Sequence, residues 1–213
     1  MATSAAEPSQ RDWWLRALLV LQSPRAVFAA LRDGSDEQVQ ARQEPVLAIV
    51  WLAGIAGVLS TNQASRLLDD FEIDVVVLAI WAYLAGGLHG LTGYFVVGAL
   101  VMLGVSLAKG SGTYRLARHV LAFAAVPIAF SLVIWPVRLT VYGRDSFRSG
   151  GTDIGAGNSV FEAIELGFLL WAFGLLVVGL RTVYGFSTAR ALAASLPAAV
   201  VPVLALARAY GLF

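Results

Sequence analysis

The stretch from Val75 to Ala108 constrains this chain more than any other. Its thirty-four residues contain no Asp, Glu, Lys or Arg. Apart from tyrosines, its one titratable side chain is His89, within the glycine-rich centre GGLHGLTG. A bilayer accommodates such a run, because about 20 apolar residues span its hydrocarbon core. At 1.5 Å rise per residue the whole run makes a helix about 50 Å long, too long for one upright crossing. Halved at the glycines, each part of about 15 residues is too short to cross. Three readings remain: one long tilted helix, an interfacial piece (Val75–Gly87) leading into a span (Leu88–Ala108), or a re-entrant pair. We favour the long helix, with room for a bend at its glycines. Ala82, Gly86 and Gly90 recur every four residues, and Gly98 keeps the register. This small-xxx-small pattern places the helix centrally against others. A membrane-protein partner, or a second copy of the chain, is expected to dock on this glycine-rich helix.

Composition agrees. Of 213 residues, 58% are hydrophobic and 14% charged, against about 25% charged in average soluble domains. A net charge of +1 argues against nucleic acid as a partner, since its binders carry a concentrated basic patch. The absence of cysteine excludes disulfides, thiol catalysis and thiolate metal sites.

The chain divides into an N-terminal arm, residues 1–44, and a membrane domain, residues 45–213. Within the arm, Met1–Gln10 is polar and expected to be mobile. In Asp12–Gln22, Trp14, Leu15, Leu18, Leu19 and Leu21 can share one helical face. Ser23-Pro24 then suits the N-cap and first turn of a second short helix, Arg25–Arg32. These helices either lie in the membrane interface, with Trp13 and Trp14 at headgroup level, or pack on the cytoplasmic ends of the bundle. Asp33–Glu44 reads as a solvated linker.

Five spans follow, at about 46–62, 75–108, 119–142, 159–182 and 189–210. The fold class is therefore all-α, a polytopic helical bundle with an N-terminal interfacial amphipathic helix. Gly54 and Gly57 suit close helix approach in the first span. Pro127 and Pro136 kink the third, and Pro197 and Pro202 fall inside the fifth. Ser159-Val-Phe-Glu162 fits a capping box at the start of the fourth. With the N-terminus inside, inner segments hold 10 of the 15 basic residues and outer segments 5. The positive-inside rule then places the N-terminus inside and the C-terminus outside.

Few residues carry chemistry. His89, inside an apolar run, is by default a functional-site hypothesis, whether as proton relay, headgroup contact or substrate contact. Its structural alternative is a neutral imidazole hydrogen-bonded across a helix interface. Glu162 and Glu165 share a helix face at i and i+3, and Arg138 is a partner for Glu165 across the bundle. A structural ion pair there is favoured over catalysis. Lys109, Arg115 and Arg118, with His119, form an inner basic cluster suited to anionic headgroups or to setting topology. Asp69, Asp70, Glu72 and Asp74 match no calcium-loop spacing, and His89 and His119 match no zinc spacing. There is no nucleophile elbow, phosphate loop or dinucleotide fingerprint. No catalytic residue, cofactor or metal is expected.

Three stretches carry a resemblance: Lys109-Gly-Ser-Gly-Thr-Tyr-Arg115 running on to His119…Pro127, Trp171…Gly179-Leu-Arg181-Thr-Val-Tyr-Gly185-Phe-Ser187-Thr-Ala189-Arg-Ala191, and Ser23-Pro24-Arg-Ala-Val-Phe28. The chain resembles the Yip family of five-span membrane proteins (Ypt/Rab-interacting proteins) in its bacterial branch, over roughly Ser23 to Leu206. Fourteen Arg against one Lys, with abundant alanine, agrees with a bacterial source. The resemblance implies a non-enzymatic multipass protein of the bacterial cytoplasmic membrane. The expected role is a scaffold or accessory subunit of a membrane complex, with lipid or another apolar substrate as the candidate cargo. The alternative is a small transporter or channel-like protein, its polar path near His89, Arg138 and Glu165. An enzyme would need His89 and Glu165 within hydrogen-bond reach.

Overall fold

The computed structural model describes residues 10–61, 64–69, 74–153 and 156–209. Among these every regular element is helical. Three short helices come first: α1 (Gln10–Leu19), α2 (Pro24–Ala30) and α3 (Asp36–Ala41). The long elements are α4 (Gln43–Leu59), α5 (Val75–Leu107), a broken helix built from α6 (Tyr114–Ala124), α7 (Val126–Phe130) and α8 (Ile134–Tyr142), then α9 (Ala156–Tyr184) and α10 (Thr188–Ala209). Among the described residues, four helical stretches are long and apolar enough to cross a membrane: Asp36–Leu59, Val75–Leu107, Tyr114–Phe147 and Gly157–Tyr184.

The α5 stretch is one unbroken helix of 33 residues, so neither the split nor the re-entrant reading holds. The Asp74 carboxylate starts it by accepting from the backbone N–H groups of Val76 and Val77 at 2.9 and 2.8 Å, which satisfies two orphan donors. Helix α5 lies against α4, α6 and α10. Its glycines set the distance to α4. A Cβ on Gly54 would collide with the Gly86 carbonyl, one on Gly90 with the Val50 carbonyl, and one on Gly87 with the Trp51 ring. Lipid tails are as apolar as the helix faces, so burial does not drive this contact. Close backbone approach and dispersion do, and both need the missing side chains. Gly104 meets the Ala194 carbonyl of α10 in the same way.

The predicted third span runs from Tyr114, not His119, and is broken twice. Helix α6 stops at Ala125, two residues before Pro127, and a 3-10 turn at Ser131–Val133 precedes Pro136. Each proline lacks an N–H and crowds the carbonyl four residues back, so the ladder yields just upstream. In contrast, α10 carries Pro197 and Pro202 without a break.

Three expectations need correction. Trp13 does not face outward from α1. It is fully buried, its ring centroid 5.6 Å from that of Phe123, and Ala17 and Val20 bury on the same side. The outward face of α1 is Trp14, Leu15, Leu18 and Leu19, so the helix packs on the bundle and shows an apolar face outward. The linker Asp33–Glu44 is instead structured: α3 fills it, Val39 and Arg42 are buried, and α4 begins at Gln43 rather than Val46. The capping box at Ser159 does not form, because α9 begins three residues earlier, at Ala156. The Glu162 carboxylate instead accepts from Asn158 Nδ2 at 2.8 Å.

The core follows from this arrangement. Trp13, Phe28 and Leu31 of the N-terminal segment join Val101 and Val105 of α5, Val120 and Phe123 of α6, Leu180 of α9 and Ala191 of α10 in one buried cluster. The arm is thus an integral cap. A smaller cluster at the other end holds Leu68, Leu78, Trp135 and Phe147, with Trp135 and Phe147 stacked at 5.7 Å.

Candidate functional site

Polar residues gather at the two ends of the bundle. At the end carrying the N-terminal cap, α5 closes in a turn in which the Lys109 N–H donates to Ser106 O (2.9 Å) and the Gly110 N–H to Val105 O (2.8 Å). Lys109 takes φ 53° there, a left-handed position usually held by glycine. Gly110 must be small for another reason: a Cβ would lie 2.5 Å from the Phe186 ring. Phe186 follows Gly185 (φ 68°), which ends α9. Arg190 Nε donates to Ala108 O at 2.6 Å, and its guanidinium sits 4.4 Å over Phe186. Tyr184 stacks on Phe186 at 5.6 Å, and a Cβ on Gly112 would meet the Tyr184 ring at 2.6 Å. The two loop signatures of the sequence are therefore one interlocked structure.

Beside it, three rings surround Arg118: Tyr94 at 5.0 Å, Phe95 at 4.7 Å and Tyr114 at 4.6 Å. Gly98 makes room for its stem, since a Cβ there would lie 2.5 Å from Arg118 Cγ. His119 is buried, and its Nδ1 has no hydrogen-bond partner. Arg42, 2% exposed, donates from Nη1 to Leu31 O (3.2 Å) and Asp33 O (3.1 Å). These carbonyls follow the C-terminal end of α2, where a cation is favoured by the helix dipole. Its guanidinium lies 5.5 Å from the Trp13 ring, while Trp13 Nε1 donates to Gln38 Oε1 at 3.1 Å. Asp33 itself accepts from the Ser35 N–H at 3.0 Å, which holds its carboxyl below the usual carboxylate range.

At the opposite end Arg138 is the hub. Its Nη2 meets Asp153 at 3.2 Å and Asn158 Oδ1 at 3.0 Å, and its Nη1 meets Glu165 at 3.7 Å. Asn158 links on to Glu162. The expected Arg138–Glu165 pair is thus present, extended by Asp153 and Asn158. It is a shared ion network between the third and fourth long helices and the loop that joins them. Nearby, the Asp69 carboxylate accepts from the Ser149 hydroxyl (2.6 Å) and N–H (2.8 Å). These bonds hold its carboxyl below the ordinary range.

His89 joins neither group. It lies midway along α5, exposed, beside Gly57 of α4, where a Cβ would approach its ring to 3.1 Å. Among the described residues it makes no hydrogen bond and no ion pair with Glu165, Glu162 or Arg138. Lys109 and Arg115 are exposed, and Arg118 is taken up by its rings, so the inner basic residues do not converge on one point. Glu72 and Asp70 of the acidic loop lie outside the described residues. Sequence reasoning missed Arg42, Trp13, Asp153 and Asn158. A signal existed for the first: Val39, Arg42, Val46 and Ile49 fall at helical spacing. Asp153 and Asn158 sit in a Gly/Ser-rich stretch with no periodicity to mark them.

Long apolar helices joined by short polar turns, with charges confined to the ends, define a multipass helical membrane protein. The family model for the Yip1 domain matches residues 18–208, and the chain belongs to this family of membrane proteins. No match is found among curated proteins or among solved structures.

Proposed function

We propose that the chain is a scaffold or accessory subunit of a membrane complex, working by helix–helix contact in the bacterial cytoplasmic membrane. In this reading it is non-enzymatic and crosses five times, α10 being the fifth span, with the N-terminus inside and the C-terminus outside. Lys109 and Arg115 then face the inner headgroup layer. Lipid or another apolar substrate is the cargo of the assembly.

One observation carries the proposal. His89 stands exposed at mid-length of the longest helix, on a face shared with the exposed Thr92 and Val96 at i+3 and i+7, and no described residue satisfies its ring. A polar group left unpaired in hydrocarbon costs several kcal/mol. A helix of another protein, or of a second copy, removes that cost. The glycines Gly86, Gly87 and Gly90 are occupied by α4 within the chain, so the partner surface is the exposed face and not the small-residue stripe. A transport path draws less support. Two surface grooves lie at the capped end, one lined by Trp14, Gln40, Gln43, Glu44, Leu47, Ala48 and Trp51, the other by α2 and α9 residues, and neither includes His89, Arg138 or Glu165.

Purification in mild detergent tests the proposal. The wild-type chain should carry a membrane protein at fixed stoichiometry, and His89→Leu should weaken that association without unfolding the bundle. A chain that runs alone in both forms sinks the reading.

A further inference from the structure

Between α2 and the last turn of α9 lies a groove of about 210 Å³, lined by Arg25, Val178, Arg181, Thr182, Gly185 and Phe186. Its walls are fixed by packing. The Phe28 ring reaches α9 at Gly179, where a Cβ would lie 2.9 Å from it, and Arg32 Nη2 donates to Thr182 O. Two guanidinium groups border the groove. Among the described residues neither Arg25 nor Arg181 has a carboxylate partner, since both ion pairs found there belong to Arg138. The Arg181 Nε is buried and makes no hydrogen bond. An unpaired buried donor on a charged side chain carries a desolvation penalty that an anion relieves.

We propose that this groove binds the phosphodiester of an anionic glycerophospholipid, held by Arg25 and Arg181, with Val178 against the upper acyl chain. The planar forks of two arginines match a phosphate better than they match a carboxylate-free apolar ligand. The choice of lipid over a free anion follows from position. Arg181 occupies the last turn of a 28-residue apolar stretch (Gly157–Tyr184), which sets it at headgroup depth. Val178 lies one turn nearer the middle of α9 than Arg181, on the hydrocarbon side of the charged mouth. At about 210 Å³ the space is below the 300–1,000 Å³ of drug-sized pockets, so it takes a headgroup rather than a whole lipid. The site is separate from the His89 face and does not depend on which protein docks there.

The test is lipid retention by the full chain in micelles containing phosphatidylglycerol or phosphatidylcholine, read by native mass spectrometry. Wild type should retain phosphatidylglycerol in preference to phosphatidylcholine. Arg25→Gln and Arg181→Gln should each weaken retention about tenfold, the scale of one charge-assisted hydrogen bond. Arg11→Gln, the same charge change on the exposed face of α1, should leave it unchanged. Equal loss in the Arg11 variant, or full retention in the double variant, overturns the proposal. Inorganic phosphate is the second arm: if it displaces the lipid at the lipid's own concentration, the groove is a free-anion site and the assignment fails. Should Arg181→Gln not fold, Arg25→Gln decides the matter, because Arg25 is exposed and supports no packing.

Discussion

A lysine with φ 53° ends α5, in a place where a Cβ is penalised by about 1–2 kcal/mol. The turn around it is complete, with both terminal bonds made at 2.9 and 2.8 Å, so the strain comes from the side chain's presence and not from lost hydrogen bonds. Lys109→Gly is expected to raise stability by about 1 kcal/mol, seen as a higher midpoint of thermal unfolding in detergent. Gly110→Ala should do the reverse, because its Cβ meets the Phe186 ring. An unchanged or lowered midpoint for Lys109→Gly contradicts the strain argument. Such a turn is illegible in sequence: lysine carries no mark of left-handed backbone, and the Arg190–Ala108 bond that supports it spans 82 residues.

The crossing of α4 and α5 is the element on which the bundle depends. Gly90 lies against the Val50 carbonyl, whereas three residues on Gly93 has nothing within 4 Å. Gly90→Ala should therefore destabilise by about 1–3 kcal/mol through overpacking. Gly93→Ala should be neutral or mildly stabilising, as alanine favours the helix. Equal effects of the two, measured by unfolding in the same detergent, would falsify the crossing described. This part of the fold was legible beforehand. The four-residue spacing of Ala82, Gly86 and Gly90, with Gly54 in the preceding helix, is itself the physical requirement for close packing in lipid. The N-terminal cap was not. Trp13 and Trp14 are adjacent and equally apolar, and only the position of Phe123, more than a hundred residues away, decides which of them is buried. Arg42 was hidden similarly, since its partners are the carbonyls of Leu31 and Asp33 at the end of a neighbouring helix. The Arg138–Glu165 pair was legible because intramembrane charges must find each other. Its third and fourth members, Asp153 and Asn158, were not, because loops reach a site by tertiary packing alone.

For the whole molecule, antiparallel hairpins place the Lys109–Thr113 and Gly185–Ser187 loops at one end and the Arg138 network at the other. The chain has no cysteine, so single cysteines report sidedness directly. Gly34→Cys should react only from the cytoplasm and Arg144→Cys only from outside. Phe213→Cys should also react from outside if α10 crosses, and from inside if four spans are all there are.

The claim on which the account turns is that the exposed face of α5 meets another protein. A photo-crosslinking residue placed at Val96, which is 52% exposed and two turns from His89 on the same helix face, tests it in intact membranes. The account predicts a discrete protein adduct from Val96, weakened by His89→Leu, and none from Leu196, exposed on α10. Adducts to lipid alone at Val96, indistinguishable from those at Leu196, would contradict it.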